Sequence, residues 1–375
     1  MTVATRGFAL DDEQRQLRDA VRAFLDRWSD EEATRRAIES DVGYDAALWR
    51  RMSDDLGVQA IGIPEEYGGV GSGAVELGIV AAEMGRAVHP APFLGSVVSA
   101  AQTLLASGDE QACRDLLPAI ASGDAVATLA FTEESGRWDM TDIATRAEDP
   151  GDGWQLRGTK MFVLHGASAD VVLVLARTPA GPSLFVVDDV GALDRRVQST
   201  SDPTRRVARI DLDGAAARLV GEEGAAEQFM PAVLDLAAAV LAAEQVGGAT
   251  RCLEMCVEYA SIRKQFGKAI GSFQAIRHRL ADLHLQIECA RGVVDYALGA
   301  VDDHSDAAPG ATALAKATAS DAFLQAASTT IQVHGAIGFT WDHPAHLYYK
   351  RAVSSGQLLG DAARHRELLA RHLGI

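Results

Sequence analysis

The sequence predicts an α+β protein in which a β-rich segment lies between two helical ones. Three observations carry this: helical periodicity up to about Ser122, short strand-like runs from about Gly123 to Gly224, and helical periodicity again after Glu227. The expected domains are an N-terminal helical domain over 1–122, a central β-barrel or sandwich over 123–225, and a C-terminal helical domain over 226–375.

The first block starts at Leu10, where Asp11 and Gln14 have the spacing of a capping box, and Leu17, Val21, Phe24, Leu25 and Trp28 then recur on one helical face. Gly57 and the stretch from Pro64 to Gly73 break it into several helices. In the middle block, Ala125 to Thr132, Trp154 to Arg157, Met161 to Leu164, Val171 to Ala176, Leu184 to Val187 and Val207 to Leu212 are rich in valine, leucine and threonine. Glycine, proline and aspartate bound these runs, and no helix of crossover length separates them, so antiparallel pairing is expected. In the last block Phe273, Ile276, Leu280, Leu283 and Ile287 form one apolar stripe, while Arg277, His278, Arg279, Asp282 and Gln286 fall on other faces. Helices of that length usually pack as a bundle.

A chain of 375 residues that is 48% hydrophobic and 23% charged reads as a soluble globular protein of two or three domains. No run approaches the ~20 apolar residues that span a bilayer. The start, Met-Thr-Val-Ala-Thr-Arg-Gly, lacks the apolar core of a secretion signal, so a cytoplasmic protein without a membrane span is expected. A net charge of −17 argues against a nucleic-acid partner. The cysteines stand at 113, 252, 256 and 289, with no second pair to match Cys252 and Cys256. Buried free thiols, and no metal site, are expected.

Three motifs carry chemistry. The first runs Tyr259-Ala-Ser-Ile-Arg263-Lys-Gln265-Phe266-Gly267 and continues to Phe273-Gln274. One helix should end near Arg263, Gly267 permits a turn, and Ser272 is a good N-cap for the next helix. An arginine fixed at such a corner offers a planar fork of donors matched to phosphate, although alone it would read as a surface residue at a helix end. The second motif is Gln332-Val-His334-Gly335-Ala-Ile-Gly338-Phe339, about seventy residues further on and just before Tyr348-Tyr349-Lys350-Arg351-Ala352. The third is Phe131-Thr132-Glu133-Glu134-Ser135-Gly136-Arg137-Trp138-Asp139, followed by Gly158-Thr-Lys160-Met-Phe162-Val-Leu164-His-Gly166.

Taken in this order, the motifs resemble those of acyl-CoA dehydrogenases, and the resemblance spans nearly the whole chain. It implies that family's fold, with an N-terminal helical domain, a central β-domain and a C-terminal four-helix bundle, and FAD as cofactor. Family dimers build the FAD sites, and two dimers commonly form a tetramer. The resemblance places Arg263 on the FAD pyrophosphate and Gln332 and Gly335 near its adenosine half. Gln265, Phe266 and Phe273 belong to the same clamp, and Thr132 lies near the flavin ring with Leu129 and Phe131 as apolar neighbours.

Departures from the family pattern fall mostly in the third motif and at the base. Trp138 replaces a serine, Phe162 a tryptophan, and Leu164 the threonine that in relatives hydrogen-bonds flavin N5. Ala336 stands at the second glycine of the second motif. Near the C-terminus, Leu359 in Leu358-Leu359-Gly360-Asp361 falls where relatives read Tyr-Glu-Gly-Thr, and so takes the place of the catalytic glutamate. The alternative base position falls on Ala237. Neither can accept a proton.

Asp361 is a weak substitute, better suited to capping the last helix, and Asp235 and Glu244 suit a helix-face hydrogen bond or a CoA-end contact better than a base. No catalytic residue is therefore assigned. The resemblance implies one subunit of a heteromeric enzyme that oxidises an acyl-CoA thioester, with a paralogous subunit as partner and an electron-transfer flavoprotein or similar acceptor. Two alternatives stay open: a homomeric flavoenzyme with a relocated acid or different chemistry, and a stabilising paralogue without FAD.

Overall fold

The computed structural model describes residues 10–140, 142–151 and 153–375. In chain order the helices and strands are α1 (Asp12–Trp28), α2 (Glu31–Glu39), α3 (Ala46–Leu56), α4 (Ala74–Arg86), α5 (Ala101–Ala106), α6 (Glu110–Ala121), β1 (Ala127–Ala130), β2 (Arg146–Glu148), β3 (Trp154–Leu164), β4 (Val171–Thr178), β5 (Gly181–Val187), β6 (Asp194–Val197) and β7 (Val207–Val220). Then follow α7 (Ala226–Ile262), the two-residue strands β8 (Lys264–Gln265) and β9 (Lys268–Ala269), α8 (Gln274–Asp302), α9 (Ala308–His334), α10 (Ala345–Gln357) and α11 (Ala362–Leu373). They divide into two compact units. One comprises the described residues up to Ala33, Ala74–His89 and Ala238–Ile375; the other comprises Thr34–Gly73 and Pro90–Ala237.

In the unit that holds the sheet, β4 pairs with β5, β5 with β7, β7 with β3, β3 with β2 and β2 with β4, so the strands close into a barrel. Strand β1 adds beside β4, and β6 beside β7. Leu156, Val163, Val172, Val174, Phe185 and Ile210 fill the interior. The pairing is not all antiparallel as the sequence suggested: β1 and β2 each run parallel to β4. The β2–β3 antiparallel pair lies in the connection from β1 to β4, and so serves as the crossover that a helix would otherwise make. Trp154 to Arg157 and Met161 to Leu164 prove to be one strand, with register shifts at Leu156/Arg157 and between Lys160 and Val163.

In the helical unit, the expected capping box opens α1. Gln14 N donates to Asp11 Oδ1 at 2.8 Å, and Asp11 N donates to Gln14 Oε1 at 3.1 Å. At the far end of α8, the Asp302 carboxylate accepts from Ala74 N and Val75 N and so caps α4. The expected N-cap Ser272 does not cap α8. Its hydroxyl is taken by the Ala269 carbonyl at 2.7 Å inside a 3₁₀ turn, and the chain enters the helix from an extended Phe273.

In helix α7 an 18-residue window reaches a mean hydropathy of 1.5, apolar enough to cross a membrane by length and composition. That window is 72% buried, as in a core helix. Cys113, Cys252 and Cys256 are buried, but Cys289 is exposed, because it lies off the apolar stripe of α8.

Helices α4 and α7 cross at bare backbone. A Cβ on Gly247 would lie 1.8 Å from the Ala82 carbonyl oxygen, and one on Gly85 would lie 2.0 Å from that of Glu244. Neither neighbour is a flexible side chain that could yield. Gly247→Ala is expected to destabilise the protein by at least the ~1–3 kcal/mol typical of overpacking, which differential scanning calorimetry would register as a fall in Tm of several degrees; an unchanged Tm would mean that the helices separate freely.

Candidate active site

The Arg263 motif forms a hairpin between α7 and α8. Strands β8 and β9 pair through Lys264 with Ala269 and Gln265 with Lys268, and the turn is made by Phe266 and Gly267, both at positive φ. Glycine suits that conformation and phenylalanine does not, so Phe266 is held there by the pairing on either side. The Arg263 carbonyl accepts from Ile270 N at 2.8 Å, which ties the start of the hairpin to its end. The Arg263 side chain is exposed and makes no ion pair or hydrogen bond among the described residues. Phe266 stands 92% exposed, with its ring edge-on to that of Phe273 at a centroid distance of 6.2 Å, and Lys268 Nζ lies 4.4 Å over the Phe273 ring.

The second motif meets this hairpin's base. Tyr259, one turn before Arg263, stacks on His334 at 4.4 Å, and His334 lies 4.3 Å from His343. Cys256, Ala260, Leu280 and Val333 form the buried cluster beneath, which joins the ends of α7 and α9 to the start of α8. Gln332 and Gly335 are exposed beside it, and Gly335 takes φ 66°, with open space around its Cα. The six clamp residues Arg263, Gln265, Phe266, Phe273, Gln332 and Gly335 thus gather at one end of the helical unit. The aromatic stack of Tyr259, His334 and His343 escaped the sequence reading, because it forms between segments about seventy residues apart.

In the barrel unit, Thr132 follows β1 and is 2% exposed, and its hydroxyl has no hydrogen-bond partner among the described residues. Its carbonyl accepts from Met161 N at 2.9 Å. Leu164 ends β3, and its carbonyl accepts from Thr128 Oγ1 at 2.6 Å. Phe162 lies at φ 55°, with its N–H fixed on Gln198 Oε1 at 2.8 Å. Trp138 packs against both Phe131 and Phe162, with ring centroids 5.9 and 6.3 Å apart.

FAD is thus matched by one half of the candidate residues and not by the other. An exposed guanidinium without a partner fits a pyrophosphate, and the orphaned Thr132 hydroxyl fits a polar ring edge. The Leu164 side chain offers no hydrogen bond, and Trp138 covers the aromatic surface beside Thr132.

Leu359 sits in a tight turn. Leu358 has φ −62° and ψ 134°, Leu359 has φ 60°, and Gly360 N donates to the Gln357 carbonyl at 3.1 Å, the pattern of a type II turn. Buried groups grip this turn from below. Lys316 Nζ donates to the carbonyls of Ser355 (3.0 Å) and Gly360 (3.3 Å), and His365 Nε2–H donates to that of Leu359 (3.1 Å). Asp361 caps α11 through Arg364 N at 2.8 Å, and Glu244 is paired with Arg351 at 2.8 Å in the interior. Both are committed elsewhere. Ala237 is buried. Burial raises the carboxyl of Asp235 to about 6.

Burial, reinforced by the Lys316 charge, depresses His365 to about 4. The unfolded chain, with a histidine near its ordinary value, therefore binds the proton first. The His365 contribution is fully present above pH ~6.5 and is lost as pH falls from there toward about 4, at up to ~1.4 kcal/mol per pH unit. His365→Gln, which retains a donor without titrating, is expected to flatten the fall in urea midpoint between pH 7.5 and 5; equal slopes would show that His365 takes up its proton in the fold as it does in the unfolded chain.

Three sequence-family models match the chain: the acyl-CoA dehydrogenase N-terminal domain over 11–124, the middle domain over 128–208 and the C-terminal domain over 223–374. The chain is 37% identical to the acyl-CoA dehydrogenase IpdE2 of Mycobacterium tuberculosis, over 96% of both chains. Among solved structures it is similar to a chain of the ChsE4-ChsE5 complex from Mycobacterium tuberculosis (30% identity, TM-score 0.88, 98% and 99% covered). It is likewise similar to the Tcur3481-Tcur3483 steroid ACAD G363A variant (31% identity, TM-score 0.87, 97% and 98% covered). A likeness of this extent, carried by all three domains, shows that the chain belongs to the acyl-CoA dehydrogenase family.

Proposed function

We propose that this chain is the base-lacking subunit of a heteromeric, FAD-dependent acyl-CoA dehydrogenase. It lends Arg263, Gln265 and Gln332 to an FAD whose ring pocket and base come from a paralogous partner. The observation that carries this reading is the asymmetry between the two halves of the site: an exposed clamp on the helical unit whose Arg263 has no partner among the described residues, and apolar side chains at Leu164, Ala237 and Leu359. The kinship with ChsE4-ChsE5, a complex of two named chains, supports the heteromer.

When bound, FAD supplies the acceptor for the electrons removed from the acyl-CoA thioester. This chain's part is to fix phosphate with a guanidinium fork and to cover the cofactor with the Phe266 hairpin. An electron-transfer flavoprotein or a similar carrier would take the electrons onward.

Expressed alone, the chain is expected to retain little FAD, and the heteromer less than one FAD per chain. Absorbance of the released flavin against protein concentration checks both, and homo-oligomers saturated with FAD would refute the reading. Within the heteromer, Arg263→Ala removes a charge-assisted contact of ~1.5–3 kcal/mol, so FAD affinity should fall about tenfold or more while the fold persists. FAD content unmoved by dilution and desalting would reduce Arg263 to a surface residue.

One observation favours a second reading, a homomeric flavoenzyme with a relocated acid: Asp235 has a carboxyl that titrates at about 6, in the range of a general base. Asp235→Asn separates the two. Turnover of the heteromer should survive it under the first reading, whereas the second predicts turnover by the single chain that the substitution abolishes.

A further inference from the structure

We infer that Trp138 closes this chain's own barrel to a flavin ring, as the tip of a loop that opens at Glu133 and is built to stay shut. The inference rests on the heteromer reading above and gives it a physical cause.

The loop is held at three levels. At its base, the buried Glu133 carboxylate accepts from Ala144 N at 2.7 Å, Thr145 N at 2.9 Å and Lys160 Nζ at 2.7 Å, so one side chain fastens both the entry and the exit of the loop. The Glu133 carbonyl also accepts from Gly136 N at 2.9 Å, which starts the turn. Across its middle, Arg137 and Asp142 form an ion pair at 2.8 Å. At its tip, the indole of Trp138 stands edge-on to Phe131, with an interplanar angle of 63°, and tilted at 38° toward Phe162. Phe162 cannot readily turn away, because its backbone is held by Gln198 in a conformation that non-glycine residues rarely adopt.

The chemistry of the contact supplies the competition. An indole and an isoalloxazine are both flat, apolar on their faces and polar at one edge, and both gain by stacking on aromatic rings. Phe131 and Phe162 can offer their surfaces to one of them. A side chain that buries ~150–250 Å² stands where relatives carry a serine, and it is tethered to the loop, whereas a flavin must arrive from solution. The tethered ring wins unless the loop opens. Occupancy is thereby confined to composite sites in which the partner supplies the ring pocket.

The test uses the full chain and lumiflavin, the flavin ring without the phosphates and adenosine that the clamp would grip, with binding read by fluorescence quenching. Leu164→Thr first restores a hydroxyl, so that its absence is not limiting. Adding Trp138→Ser to Leu164→Thr should then tighten lumiflavin binding at least tenfold, while Trp138→Phe in the same background, which retains an aromatic plug, should not. Arg137→Ala, which opens the clasp without touching a ring, should move affinity in the same direction as Trp138→Ser and decides the matter if the serine variant fails to fold. Equal affinity with and without the plug overturns the inference while leaving the heteromer reading intact. Tight, stoichiometric FAD on the unmodified single chain overturns the heteromer reading itself.

Discussion

The barrel unit depends on a buried charge pair, Lys160 with Glu133. Lys160 lies wholly inside the fold, and an isolated ammonium there would cost several kcal/mol. Burial lowers it to about 8, and Glu133 at 2.7 Å holds it charged at neutral pH, while the Lys160 charge keeps the glutamate below its usual range despite its own burial. The carboxylate has oxygens to spare, and it spends them on the backbone N–H groups of Ala144 and Thr145. One electrostatic requirement therefore fixes β3, the end of β1 and the loop between them. Past Lys160 the register of β3 shifts, and Phe162 falls at positive φ. The aromatic surface beside Thr132 takes its shape from a pair that contributes no chemistry of its own.

The helical unit repeats the logic at the Leu359 turn. Lys316, also fully buried, is solvated by the Ser355 and Gly360 carbonyls and the Ser320 hydroxyl, and Gln245 bridges Ser320 to Ser355. Those acceptors exist only if the chain turns as it does at Leu358 and Leu359. Leu359 is accordingly kept at positive φ, where a side chain with a Cβ costs ~1–3 kcal/mol. Nothing in the network uses the Leu359 side chain, whose carbonyl alone is engaged, by His365. The turn therefore makes no demand on the side chain at this position.

What was legible in the sequence follows the range of the forces involved. The capping box at Asp11 and Gln14, the stripe of α8 and the break at Gly57 are set within a few residues, and each forms as expected. Gly158-Thr-Lys160 fell between two expected runs; the strand continues through it, and Lys160 meets its partner, Glu133, 27 residues away in sequence. The parallel β1–β4 pairing likewise depends on a neighbour that the local pattern does not contain, whereas Ser272 is diverted from capping by a carbonyl only three residues back. The site divides in the same way. Its clamp is written in contiguous motifs, whereas the contact of Trp138 with Phe131 and Phe162 joins separate segments, and Trp138 and Phe162 each read only as a departure.

The clamp itself implies a cover. Ile262, Phe266, Phe339 and Trp341 are each more than half exposed at the end of the helical unit where Tyr259 stacks on His334. Single apolar side chains in water are ordinary, but several at one end mark a contact surface. The strain at Phe266 points the same way, because a turn residue held at positive φ with its ring in solvent gains nothing for the isolated chain. Its use must come from what it meets. If that is a partner and the cofactor together, assembly and FAD binding are one event, and the arginine that grips phosphate and the phenylalanine that excludes water are two parts of one interface.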